Sequence, residues 1–343
     1  MVATVSNVTS SIPQPVLGHW FDRTHVPWLL EAGLTVNCLG MSLLGFSSNY
    51  VLLLFLVGSA GLGSAAFHPP AFSSIVRSNE PSSKGKAMGV FLSGGFVGYT
   101  LGPFVAGVLG SAFGLNGMLY LLPLWLLASI ILFKFSRIAI ARTHRIDASH
   151  PPANTRLVEL LAAITTLRSV AVQTMVTFLP LYFVARGASL LVATGIASVW
   201  LGFATVGQLV GGWVSDRIGG ALVILSSLLV GGFLFYGFLV TSGLISLILL
   251  ALSGAALYAN WSVIVVMASE AAPRNVGAVS GLMLGFSTGV GGIAALGFGV
   301  LADALGMGEA FYIITIFAIL AGLSASLLPT VSKTPLFSAI RAT

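Results

Sequence analysis

The chain has 343 residues and a net charge of +6, yet only 7% of its residues are Asp, Glu, Lys or Arg and 57% are hydrophobic. A soluble domain carries about 25% charged residues, so these charges are too few to cover a globular surface, and the composition places the chain in lipid. The single cysteine, Cys38, excludes an internal disulfide.

A membrane helix needs about 20 mostly apolar residues. In chain order, such spans are expected at 2–18, 29–46, 50–73, 87–109, 115–135, 158–184, 190–213, 220–240, 243–268, 277–300 and 309–328, eleven in all. The polar stretch 136–157 contains Arg142, Arg145, Asp147 and His150 and reads as a linker. It divides an N-terminal bundle, 1–135, from a C-terminal bundle, 158–328, with a tail at 329–343.

Lys and Arg give the orientation. Thirteen of the fifteen cations fall in alternate turns, around Arg23, Arg77, Lys84, Lys86, Lys134, Arg156, Arg217 and Arg274, and in the tail. That face is expected to be cytoplasmic, with the C-terminus, in the cell's inner (plasma) membrane. Cations placed in this way mark topology rather than a nucleic-acid footprint, so no nucleic-acid partner is expected.

One signature occurs twice, 194 residues apart: Gly18-His19-Trp20-Phe21-Asp22-Arg23 and Gly212-Trp213-Val214-Ser215-Asp216-Arg217. Both copies read Gly-x-x-x-Asp-Arg and both lie between spans. The chain therefore reads as an all-α membrane protein of two related helix bundles, with a substrate held between them. The first copy follows one span and the second copy follows two, which sets Met1 at about the start of the second helix of an original twelve.

This duplicated loop resembles the hallmark of the major facilitator superfamily, and the spans, linker and duplication fit along essentially the whole chain. The first copy departs from the family pattern after Arg23, at Thr24-His25-Val26-Pro27. Ala65-Ala66-Phe67-His68-Pro69-Pro70 is similar to a Phe-His-Pro segment of the fosmidomycin-resistance-like branch of drug exporters, with Pro70 where that branch has Glu. Leu167-Arg168-Ser169 and Thr177-Phe178-Leu179-Pro180-Leu181-Tyr182 also resemble that branch. The resemblance implies a monomeric secondary transporter that exports small molecules or drugs by proton antiport and alternating access. Two alternatives remain open: an importer of sugars, organic acids or amino acids on the same fold, and a truncated, non-transporting fragment.

The resemblance implies a gate at Gly18, Asp22, Arg23, Gly212, Asp216 and Arg217, in which the Asp holds a neighbouring helix end. A carboxylate suits that position because helix N-termini attract anions; otherwise these are solvated turns. Arg168 lies about ten residues into its span, where a charge costs roughly 2.5–3.5 kcal/mol. It either meets an anionic substrate or a coupling carboxylate, or it snorkels to the interface.

Gln173 and Thr177 share a helix face that reads as a polar cavity wall, and Asn260 is a further intramembrane polar group. His68 either titrates, since His changes charge near neutral pH, or bonds a carbonyl freed by the prolines. Gly94, Gly98, Gly102, Pro103 and Gly107 form a small-residue stripe of the kind that lets two helices touch closely, and the superfamily resemblance likens it to an antiporter signature. No zinc spacing, phosphate loop or convergent catalytic set appears, so no metal, cofactor or enzymatic activity is expected.

Overall fold

The computed structural model of the chain describes residues 2–24, 26, 28–78, 83–141 and 152–329. Residues 142–151 of the expected linker, nearly all of the expected tail, and His25 and Pro27 of the first signature turn lie outside the described residues.

The described residues are helical throughout and make eleven passes. In the first half these are α1 (Val2–Ser11) with α2 (Gln14–Thr24), α3 (Trp28–Ser42), α4 (Tyr50–Ser78), α5 (Lys84–Phe113) and α6 (Leu122–Ala141). The second half has α7 (Thr155–Ala185), α8 (Leu190–Ile218), α9 (Gly220–Val240), α10 (Gly243–Ala259) with α11 (Trp261–Ala271), α12 (Val276–Gly281) with α13 (Ser287–Leu305), and α14 (Met307–Ala325).

Nine passes are each long and apolar enough to cross a bilayer, judged on the described residues. The other two are α5 and the first pass. The first pass falls short because it is divided into helices of 10 and 11 residues around Pro13. Proline removes a backbone donor and clashes with the preceding turn, whereas Pro15 is tolerated in the first turn of α2.

Two other passes are interrupted. The ninth breaks at Asn260 between α10 and α11, and the tenth carries a π turn at Leu282–Phe286 between α12 and α13. Single glycines make the tight turns from α8 to α9 and from α13 to α14. Gly219 has φ 95° and Gly306 has φ 94°, a left-handed backbone that other residues rarely adopt.

Helices approach closely where glycine meets backbone. Gly207 and Gly211 of α8 lie against the carbonyls of Ala255 and Ala259 of α10, one turn apart on both helices. Gly33 and Gly63 bring α3 onto α4 in the same way, and Asn37 Nδ2 donates across that contact to the Ala60 carbonyl at 2.8 Å. Small residues suit this role because lipid supplies no hydrophobic drive for helices to associate. The second half is further packed by a cluster of Tyr182, Phe235, Phe238, Phe298 and Phe311.

The two halves are related but not equally filled. In the second half α7 packs along α13 and α14. Among the described residues the first half has no helix in the corresponding position. The pass through α6 is accordingly only 6% buried, whereas the other eight apolar passes are 33–61% buried.

Candidate functional site

Asp22 sits at the end of α2 and is 5% exposed. Its carboxylate accepts the backbone N–H groups of Gly277 and Ala278, both at 3.0 Å. Those groups open the helical pass of α12 and α13, where backbone donors have no helical partner. Asp216, at the end of α8, accepts the N–H of Lys86 in the first turn of α5 at 3.0 Å. Each signature carboxylate therefore holds the start of a helix in the opposite half, with charge and macrodipole of favourable sign.

Gly18, one turn before Asp22, lies against the Gly277 carbonyl. Gly212, one turn before Asp216, is buried, and its carbonyl accepts from Ser215 Oγ at 2.8 Å. Arg23 is exposed. The Arg217 guanidinium lies over the Trp213 ring, 3.4 Å from its centroid.

Arg168 is 1% exposed, so it does not reach the interface. It faces the break between α10 and α11. Its Nε donates to the Leu257 carbonyl at 3.0 Å, and its guanidinium lies over the rings of Tyr258 (4.9 Å) and Trp261 (4.2 Å). The fully buried Asn260 donates Nδ2 to the same Leu257 carbonyl at 3.2 Å and to Ser227 Oγ at 3.0 Å. Arg168 Nη2 and Asn260 Oδ1 are buried without a hydrogen-bond partner. A cation in an apolar bundle is stabilised by such rings and carbonyls.

Tyr258 joins this cluster to the other half. Its ring meets Phe96 of α5 edge-on at 4.9 Å and Trp200 of α8 at 5.8 Å. His68 lies on α4 among aromatic rings. It stacks on Phe72 at 5.5 Å and meets Phe67 edge-on at 5.4 Å, and both phenylalanines contact Phe91 of α5. His68 Nδ1 is buried without a partner, so that nitrogen does not bond a carbonyl freed by Pro69 and Pro70.

Comparison with known proteins decides the family. Residues 1–296 match the sequence profile of the Major Facilitator Superfamily. The chain belongs to that superfamily. It is 30% identical to the fosmidomycin resistance protein of Escherichia coli (strain K12), over 96% of this chain and 83% of that protein. It is also 30% identical to YfnC of Bacillus subtilis (strain 168), an uncharacterised transporter of the superfamily, over 97% and 84%. Two crystal structures of FucP, one of them in the outward conformation and the other of the N162A variant of the Escherichia coli fucose:proton symporter, superpose with a TM-score of 0.76 at 15% identity. They cover 94% and 95% of this chain, and 89% of their own chains in each case. The protein is thus a multi-pass membrane transporter with the two-bundle superfamily fold.

Gln173 and Thr177 lie on a part of α7 that does not face Arg168. Gln173 lies beside Gly291 of α13, and the Thr177 hydroxyl is bonded back to the Gln173 carbonyl at 2.8 Å. At about 100° per residue, positions five and nine beyond Arg168 point well away from it.

One expectation needs correction: among the described residues the glycine stripe is not a close helix contact at Gly94 or Gly98. A Cβ at either position would meet nothing within 4 Å. The contact between the halves runs lower on α5, where Gly89 adjoins the Gln208 carbonyl and Ser93 Oγ donates to the Thr205 carbonyl at 3.4 Å. Gly102, Pro103 and Gly107 continue along α5, where the side-chain surroundings are not among the described residues.

The structure also adds a pair. Gln14 and Gln208 occupy the same offset of 194 as the signature, one turn before Gly18 and Gly212. Gln14 packs against Gly281 and Gly285 of the opposite half, and Gln208 lies beside Gly89. Both are buried; Gln14 Oε1 and both amide atoms of Gln208 lack partners. Aligning the two copies four residues further upstream reveals this pair in the sequence.

Proposed function

We propose that this transporter exports small anionic molecules, drugs among them, in exchange for protons, by alternating access between residues 1–135 and 158–328. The observation that carries the reading is the buried Arg168, with an unpartnered Nη2, at a helix break between the bundles. The E. coli relative confers resistance to fosmidomycin by its name, and fosmidomycin is a phosphonic acid, an anion at neutral pH. An arginine fork binds such a group better than any other side chain.

In this reading the signature face is cytoplasmic, because the cations gather there, and residues 136–157 and the tail lie on the same side. Asp22 and Asp216, each holding a helix start across the halves, close the cytoplasmic face. Gly18 and Gly212 allow that approach, and Arg23 and Arg217 flank it. His68 carries the coupling proton, as a titratable group within α4 that packs through Phe67 and Phe72 toward Phe91 of α5. Proton and substrate each favour one of two states through differential affinity.

The test is fosmidomycin-stimulated proton movement in inverted membrane vesicles bearing the protein. Proton release on drug addition, absent in Arg168→Gln, is the expected result. Uptake of drug with proton entry instead indicates import, and no response in either assay overturns the reading.

A further inference from the structure

Resting on the anion reading of Arg168, we infer that Arg168 and Asn260 together select an anion that carries a hydrogen-bond donor beside its charge, such as a singly protonated phosphonate. The two side chains converge on one oxygen: Arg168 Nε and Asn260 Nδ2 donate to the Leu257 carbonyl at 3.0 and 3.2 Å. That carbonyl only accepts, and this fixes which end of the Asn260 amide faces it. Ser227 Oγ receives the second Nδ2 proton at 3.0 Å and holds the amide plane.

Two groups are left over. Arg168 Nη2 is a charged donor and Asn260 Oδ1 is an acceptor, and both are buried and unpartnered. Their side chains meet at one carbonyl, and in this inference the spare donor and the spare acceptor face one ligand. The Nε edge of the guanidinium is occupied by Leu257, so a ligand engages the terminal nitrogens only. The Tyr258 and Trp261 rings, at 4.9 and 4.2 Å, hold the guanidinium plane.

A carboxylate or a doubly ionised phosphonate satisfies Nη2 and leaves Oδ1 facing another acceptor. A neutral alcohol satisfies Oδ1 and leaves the cation bare. An oxyanion with an adjacent O–H or N–H satisfies both. A buried polar site discriminates strongly against a ligand that leaves one of its groups unpaired.

The experiment measures binding of two probes to the purified full chain, at a pH below the second phosphonate ionisation. The probes are fosmidomycin and its phosphonate monomethyl ester, which keeps the single negative charge and loses the P–O–H donor. The wild type is expected to bind fosmidomycin about tenfold more tightly than the ester. Asn260→Leu, similar in volume and without an acceptor, is expected to weaken fosmidomycin by about tenfold and leave the ester unchanged. Arg168→Gln is expected to weaken both.

Equal wild-type affinity for the two probes overturns the selection, as does an equal loss of both in Asn260→Leu. Wild-type affinity for both probes in Arg168→Gln overturns the anion reading beneath it, as does failure of the wild type to bind either probe. The wild-type comparison uses no variant, so it decides the matter even if Asn260→Leu does not fold.

Discussion

Gly18 lies against the carbonyl of Gly277, closer than any side chain at position 18 allows. The contact seats α2 on the start of α12 and brings Asp22, one turn further on, to the N–H groups of Gly277 and Ala278. Neither halves nor helices need bend for this; two glycines remove the side chains that would hold the backbones apart. Gly18→Val is therefore expected to part the halves at the signature face. Spin labels at the exposed Thr24 and Ile218 would report it, with a longer mean distance in the variant than in the parent. An unchanged distance would mean that the glycine contact does not control closure.

Asp22→Asn and Asp216→Asn remove the charge from the two helix-start contacts. A hydrogen bond to a charged group contributes about 1.5–3 kcal/mol, so each variant is expected to slow transport by tenfold or more, with membrane insertion intact. Asp22 is 5% exposed and Asp216 is only partly buried, so Asp22→Asn has the larger effect. Drug flux per inserted protein, measured in vesicles, is the check; flux equal to wild type in both variants would remove the gate role.

Arg168→Lys keeps the charge but not the fork. A lysine ammonium is a point charge without the planar stacking that guanidinium makes over Tyr258 and Trp261. Transport of anionic substrates is expected to fall by about tenfold or more. Retained flux would show that charge alone is enough.

His68→Phe keeps a flat ring for stacking on Phe72 and removes the titratable nitrogens. If His68 carries the coupling proton, the variant folds and loses the pH dependence of transport between about pH 5 and 8, where an ordinary histidine changes charge. A wild-type pH profile in His68→Phe would leave the ring with a packing role only.

Gln208→Leu replaces a fully buried amide, neither of whose polar atoms has a partner, with an apolar group of similar size. Most buried polar substitutions destabilise, but this one is expected to stabilise the protein by about 1 kcal/mol, because an unpartnered buried amide lowers stability. Thermal unfolding in detergent reads the sign, and a lowered midpoint would show that the amide is satisfied. The repeat-related Gln14 has one bond, from Nε2 to the Ser10 carbonyl at 2.6 Å, so Gln14→Leu is expected to gain less.

Much of the fold was legible because membrane helices are written in composition. Long apolar runs and cations in alternate turns follow from the bilayer's exclusion of charge, and a signature repeated at one offset follows from an internal repeat. Cys38 reads as a core residue and is buried. The one-residue interruption at Asn260 was not legible, because the residues around it form one apolar run. The extended first pass was partly hidden for another reason, since α2 has little net hydrophobicity and is held by contacts with the opposite half.

Residue order alone carries the duplicated membrane transporter fold, the isolation of Arg168 in its span and the equivalence of Asp22 and Asp216. These are properties of residue type and spacing, which the bilayer reads directly. What those residues meet is set by how the helices pack. Asp22 reaches residues 277 and 278, and Arg168 finds a carbonyl and two rings around residue 260. Partners so distant along the chain are chosen by how helices pack. That packing also left Gly94 and Gly98 facing open space among the described residues. Helical spacing tells which residues share a face, whereas the neighbour on that face depends on the arrangement of all the other helices.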